Sequence, residues 1–238
     1  MQRKNELLAN KTSAKDPKFV ILYGPPASGK GHVLKEVRNQ FNLTDDTTVD
    51  VNVDSFVETN PAYLKELNDL RCIEQYQQLD CTQVQHKPFI TTCNALYKKY
   101  RDLGADYMSS ATMIEGLLHN YNIIYETTGR DIKWLLEHDV MLIPKNYKIV
   151  ILYPVVDEEI INRRSCERAQ KIGRYVTKDE IKYMVGKAGK NFVEIMNKLP
   201  KADIYVYDNK DEPKKKKKKI GGFELNFTII LIILLCVI

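Results

Sequence analysis

The chain has 238 residues, 44% of them hydrophobic and 28% charged, with a formal net charge of +5 at pH 7. That size holds one α/β domain plus a tail, and it buries a sizeable core. Lys214–Lys219 carry six positive charges, more than the whole net, so the rest of the chain is close to neutral and has no basic surface for nucleic acid.

Residues 1–17 are polar and predict a loose leader. They have no apolar core, so a cleaved signal peptide is not expected. Lys18–Tyr23 reads as a short buried strand and Gly31–Phe41 as a helix. Between them lies Gly24-Pro25-Pro26-Ala27-Ser28-Gly29-Lys30, the first seven positions of GxxxxGK[ST]. Glycines let backbone amides face into a concave nest, the next helix offers its positive end, and the lysine bridges terminal phosphates. The plainer alternative is a Gly/Pro turn, but the strand–loop–helix setting favours a phosphate cradle. Gly31 stands where a hydroxyl normally holds magnesium, so the metal ligand is left open between Ser28, a carboxylate, and water with phosphate. His32 either approaches the phosphates or, more simply, lies on a helix face.

Further along, Thr48–Asp54 alternates like a strand, which puts Asp54 at its end as a general base or as a plain cap. Pro61–Leu70 is helical, and residues 71–105 show no clear chemistry. A helix over Tyr107–Asn120 precedes a strand running into "YETTGR", where Glu126, Thr127, Thr128 and Arg130 are placed to bind substrate or to form a solvated loop. Trp134–Val140 predicts a helix and Tyr147–Val155 a fourth strand. The helix predicted over Asp157–Lys171, with Asp157 as N-cap, carries Arg163, Arg164 and Arg168; Arg174 follows. Arg164 and Arg168 share one face, continued by Lys171, and arginine stabilises charge on a transferring phosphoryl group. Thr177–Glu180 is a capping box opening a helix to Leu199, and Asp203–Asn209 is a fifth strand. Strands alternating with helices imply a parallel sheet covered on both faces, with sites at the strands' carboxyl ends.

Five cysteines, at 72, 81, 93, 166 and 236, show neither a CxxC pair nor zinc spacing. They predict a reducing compartment and buried, apolar thiols. Lys214–Lys219 beside the apolar Phe227–Ile238 read best as the cytosolic flank of a membrane tail anchor touching anionic lipid; a spacer or address signal is the alternative. Twelve helical residues reach only ~18 Å, short of a comfortable span.

Taken together, "ILYGPPASGK", "DSFVETNPAYLKEL", "IIYETTGR", "RRSCERAQKIGRYVTKDEI" and "ADIYVYDN" resemble the zeta-toxin family of P-loop kinases, over about residues 18–209. The resemblance implies an α/β P-loop kinase fold with a five-stranded parallel sheet. It also implies ATP and magnesium, and phosphorylation of a hydroxyl, that of a nucleotide sugar in the toxins. By the same resemblance Lys30 holds phosphates and Asp54 is the base. Glu126, Thr128 and Arg130 contact substrate, and Arg168 and Arg174 are lid arginines. Gly31 departs from the family's Ser or Thr, and no segment resembling an antitoxin is present. The domain reading is a leader over 1–17, a kinase domain over 18–209, a lysine-rich linker over 210–222 and an apolar segment over 223–238. Two rivals stand beside a small-molecule kinase. One is a kinase of nucleosides or polynucleotide 5′-hydroxyls. The other is a nucleotide-binding module without turnover at a membrane, which Gly31 favours.

Overall fold

Lys18–Tyr23 forms β1, the centre of the molecule, and every residue after Lys18 in it is buried. A strand covered on both faces needs apolar residues at consecutive positions, which "FVILY" supplies. The computed structural model describes residues 2–81, 84 and 87–209, and the backbone of 217–220.

On either side of β1 lie β3 (Asn122–Thr127) and β4 (Lys148–Val155), both parallel to it. β2 (Thr48–Val51) pairs with β3, and β5 (Asp203–Asp208) with β4, also in parallel. The strand order is therefore β2-β3-β1-β4-β5, and the chain after β1 emerges where the winding reverses, the place where such sheets bind ligands. This is the predicted five-stranded parallel α/β fold. A sixth strand, β6 (Lys217–Ile220), adds antiparallel to β5. That amends the linker reading of 210–222. Backbone pairing along an open edge is available to any sequence, and lysine is a common edge residue.

Two helical layers cover the sheet. One face of β1 (Phe19, Ile21, Tyr23) packs with Met113 and Leu117 of α7 (Asp106–Leu118) and with Ala188, Phe192 and Ile195 of α10 (Lys178–Lys198). The other face (Val20, Leu22) meets Val33 and Val37 of α2 (Lys30–Val37), with Phe41 beyond it. A separate cluster gathers α3 (Val53–Glu58), α4 (Pro61–Asp69), α5 (Cys72–Gln77) and α6 (Pro88–Tyr100) against α9 (Glu158–Ile172), forming a helical cap beside the sheet's carboxyl edge.

Several expectations change. The leader is not loose: α1 (Gln2–Leu8) packs Leu7 and Leu8 on the core, Lys4 pairs with Glu115, and the Ala14 N–H donates to the Asn120 carbonyl at 2.9 Å. β2 stops at Val51, so Asp54 sits in the first turn of α3 rather than at a strand end. The Trp134 segment is α-helical only over Ile132–Trp134 (α8), followed by a wider π-turn over Leu135–Asp139. The cysteines are not lone thiols. Cys72 is bonded to Cys93 and Cys81 to Cys166, with Cα separations of 6.0 and 5.6 Å, which overturns the prediction of free thiols and removes the argument for a reducing compartment. Both bonds lie in the helical cap, Cys72, Cys93 and Cys166 within its buried cluster. Spacing along the chain could not reveal which Cα atoms approach each other. Cys236 and the tail-anchor segment 223–238 lie outside the described residues, as do Lys214–Lys216. Among the described residues no helix is long and apolar enough to cross a membrane.

Candidate functional site

The loop after β1 takes its shape from three left-handed residues: Gly24 at φ +139°, Ala27 at +58° and Gly29 at +87°. Ala27 carries a Cβ in this region, at a cost of roughly 1–2 kcal/mol. At Gly29 a Cβ would also collide with the Asn209 side chain. That amide donates to the Ser28 carbonyl at 2.8 Å, and Asn209 is itself pinned by its backbone N–H to Val155 at 3.0 Å. Arg164 reaches the same place, 3.5 Å from the Asn209 carbonyl, and its Nη1 is buried without a hydrogen-bond partner. β5 and α9 thus brace the loop from behind.

Lys30 opens α2 and is buried. Its ammonium donates to the carbonyls of Gly24 (2.7 Å) and Pro25 (2.9 Å) and lies 3.4 Å from Glu126 Oε1. Burial pulls the Lys30 pKa down, and Glu126 opposes that pull. The Ser28 hydroxyl is fully buried and has no partner. Pro25 and Pro26 are buried, while Gly31 is exposed, with open space where a Cβ would stand. His32 is exposed, 3.4 Å from Glu36 Oε1, as a helix-face histidine is.

Across from the loop, α3 presents Asp54. Asn52 caps that helix: its Oδ1 accepts the Asp54 N–H at 2.9 Å and its Nδ2 donates to Glu126 Oε2 at 2.8 Å. The two oxygens of Asp54 are divided between partners. Oδ1 accepts a short hydrogen bond from the Tyr97 hydroxyl, while Oδ2 faces Arg174 Nη1 at 2.8 Å and Arg168 Nη2 at 3.3 Å. Glu58, one turn along α3, takes the same arginines at 2.9 Å (Arg168) and 3.6 Å (Arg174). The Arg174 guanidinium lies 3.7 Å from the centre of the Tyr97 ring.

Arg174 is held there by its neighbours. Gly173, at φ +70°, ends α9, and Asn94 of α6 donates to the Tyr175 carbonyl at 2.8 Å. Ser165 of α9 donates to the Val176 carbonyl at 3.0 Å. Burial pulls the Asp54 pKa up, but Arg174, the Tyr97 hydrogen bond and Arg168 outweigh it and hold the group at about 2. Glu58 is raised by burial despite the arginines. Arg168 is raised: burial pulls it down, but Glu58 and Asp54 prevail.

Lys30, Asp54, Glu126, Arg168 and Arg174 therefore converge. Within the rest of the "TTGR" turn the hydroxyls make short-range contacts, and Asn191 donates to the Gly129 carbonyl at 2.8 Å. Thr127 Oγ1 accepts the Gly129 N–H at 3.2 Å, Thr128 Oγ1 accepts the Arg130 N–H at 3.4 Å, and Arg130 is exposed. Arg163 points outward, 3.7 Å from Glu167, and Lys171 is exposed. Tyr97, Glu58, Asn52, Asn94 and Asn209 were not singled out from the sequence. Glu58 was legible as the residue four beyond Asp54, and Asn52 as a helix-capping type at the end of a strand. Asn209 ends the fifth predicted strand without a role being assigned to it, and nothing in the sequence around Tyr97 marked that residue. Among the described residues no group of three or more His, Cys, Asp or Glu side chains could hold a metal.

Residues 4–97 match the family model for zeta toxins. The chain is 28% identical over 186 residues to an uncharacterized protein of Acanthamoeba polyphaga mimivirus, a match covering 71% of this chain and 54% of the relative, so the chain spans about half of that relative's length. A solved structure from the PezAT chromosomal toxin–antitoxin system of Streptococcus pneumoniae superposes with a TM-score of 0.63 at 16% identity, covering 98% of this chain and 89% of that one. The AvrRxo1-ORF1:-ORF2 complex gives a TM-score of 0.56 at 12% identity, covering 92% and 63%. At these identities the structural likeness is one of fold. The zeta-toxin family model thus matches the N-terminal part of the chain, and the likeness of fold to the structure from the PezAT system extends over nearly all of its length.

Proposed function

We propose that this protein transfers the terminal phosphoryl group of ATP to a hydroxyl of a small acceptor, a nucleotide sugar being the first candidate. One observation carries the reading. The buried Lys30 of the loop after β1 lies near Asp54 and the two arginines that it holds, an arrangement that supports an anion site, a base and charge stabilisers side by side. The loop amides and the start of α2 receive the phosphates, and Lys30 exchanges two carbonyls for phosphate oxygens. Arg168 and Arg174 exchange carboxylates for the phosphoryl group. Their departure removes much of what depresses Asp54, so its basicity rises as the substrate is bound. The acceptor oxygen then attacks phosphorus in line, its proton passes to Asp54, and the bond to the ADP oxygen breaks. Glu126, Thr127, Thr128 and Arg130 border the acceptor side in this reading. The orphaned Ser28 hydroxyl would be the protein oxygen available to hold magnesium, which would supply charge neutralisation.

The absence of a hydroxyl at Gly31 favours a second reading, a nucleotide-binding module without turnover. The near-neutral charge outside the lysine run argues against a polynucleotide acceptor. Full-length protein incubated with γ-labelled ATP, magnesium, UDP-N-acetylglucosamine, adenosine and a 5′-hydroxyl oligonucleotide separates these readings. Label on the sugar nucleotide supports the first, label on either other acceptor moves the substrate class, and ATP binding with no transfer selects the module. Contact of Lys214–Lys219 with anionic lipid, and a cytoplasmic domain anchored by its C-terminus, rest on the sequence alone. Sedimentation with membranes that is lost on deleting residues 214–238 supports both.

A further inference from the structure

We propose that Tyr97 is a positioning residue for the phosphoryl transfer, its hydroxyl fixing the base Asp54 and its ring carrying the lid arginine Arg174. The proposal rests on the phosphotransferase reading and adds to it a residue from the stretch 71–105, where the sequence shows no chemistry.

Geometry gives the tyrosine two separate roles. Its O–H donates to Asp54 Oδ1, the oxygen the arginines leave free, and its ring face lies under the Arg174 guanidinium at 3.7 Å. When phosphate draws Arg168 and Arg174 away, Oδ2 is released and the Tyr97 bond is the one that still fixes the carboxylate. Tyr97 is well placed for this, because it is 7% exposed and lies on the long helix α6, three residues after the Asn94 that clamps Tyr175. One helix thus sets both the base and the segment carrying Arg174. The ring also gives Arg174 a surface on which it swings toward a phosphate without losing all contact.

The charged groups facing Asp54 come from several elements: Glu58 from its own helix, Arg168 from α9, and Arg174 from the segment before α10. Lys30, Arg101 and Tyr63 act on it at longer range. Removing the Tyr97 hydroxyl takes away a hydrogen bond to the charged carboxylate, so the base titrates higher.

The test uses the full chain in three forms: wild type, Tyr97→Phe and Tyr97→Leu. It reads transfer from γ-labelled ATP to whichever of the three acceptors named above takes label, together with the proton resonance of the tyrosine hydroxyl. Tyr97→Phe keeps the ring and loses the bond. It is expected to lower kcat about 10-fold, leave KM for ATP within about twofold, and move the acid limb of the kcat profile up by about one pH unit. Tyr97→Leu also loses the platform, so KM for ATP rises as well. A downfield hydroxyl signal, absent in Tyr97→Phe and displaced in Asp54→Asn, marks the contact whether or not label is transferred. An active wild type with Tyr97→Phe at full rate and an unmoved acid limb overturns the positioning role alone. A wild type that transfers label to none of the acceptors, with the hydroxyl signal present, overturns the transferase reading and with it the catalytic use of a contact that nevertheless exists.

Discussion

Asn52 and Glu126, 74 residues apart, are joined by a 2.8 Å hydrogen bond from amide to carboxylate, and the same amide's oxygen caps the helix bearing Asp54 at 2.9 Å. One side chain therefore sets the spacing between the glutamate beside Lys30 and the aspartate beside the arginines. Asn52→Ala is expected to cost about 1 kcal/mol through the lost cap and to reduce transfer as Glu126 loses its restraint. Asn52→Asp keeps the capping oxygen but sets a carboxylate against Glu126. Its stability should fall less than that of the alanine variant, while transfer falls at least as far. Chemical denaturation and the transfer assay measure the two effects, and equal activity in all three proteins contradicts the link.

Acid should unmask the Asp54 ion pairs. The group's pKa is about 2 in the folded protein against 3.8 ordinarily. Its contribution is therefore fully present above pH 4 and is lost as pH falls from about 4 toward 2. The shift corresponds to about 2 kcal/mol, an order-of-magnitude figure for a carboxylate that is 22% exposed. Denaturation curves of wild type and Asp54→Asn taken across that window should converge by about this amount. Parallel curves contradict the assignment.

Gly31 is exposed, keeps a right-handed backbone, and has open space where a Cβ would stand, apart from its own helix turn. Gly31→Thr should therefore fold with a Tm within a few degrees of wild type and supply the hydroxyl that normally meets magnesium at this position. A raised transfer rate with stronger magnesium dependence is expected. A lower rate would mean that Ser28 and the phosphates already complete the metal's surroundings.

Both disulfides tie the cap together, and Cys166 lies two residues before Arg168. Reduction should lower stability by roughly 2–4 kcal/mol for each bond broken, read as a drop in Tm under a phosphine reductant. Cys81→Ser should show part of that drop without reductant. Free-thiol titration of the denatured, unreduced protein should find none of Cys72, Cys81, Cys93 and Cys166 reactive. Four reactive thiols there, with an unchanged Tm on reduction, contradict the pairing.

The sheet was legible because its strands announce themselves. "FVILY" and "IVILYPV" are apolar on both faces, and the loop between β1 and α2 has a glycine pattern tied to one geometry. The carboxylates of the site were legible as residue types near strand ends, and its arginines as a run on and just after one helix. Their partners were not. Tyr97 reaches Asp54 across 43 residues, and Asn209 reaches Ser28 across 181, through packing that no local pattern encodes. The cysteine pairs failed for the same reason, since Cys81 and Cys166 stand 85 residues apart. The end of β2 was misplaced because "TVDVNVD" keeps its alternation into a helix that Asn52 starts by capping.

The most direct test of the account compares Lys30→Ala and Asp54→Asn in the full-length protein, with ATP binding by calorimetry beside label transfer to the acceptor. The account predicts that Lys30→Ala loses most ATP affinity and all turnover, whereas Asp54→Asn binds ATP at least as tightly as wild type and turns over at least ~10²-fold more slowly. Turnover at the wild-type rate in Asp54→Asn, or unchanged ATP binding and turnover in Lys30→Ala, would contradict it.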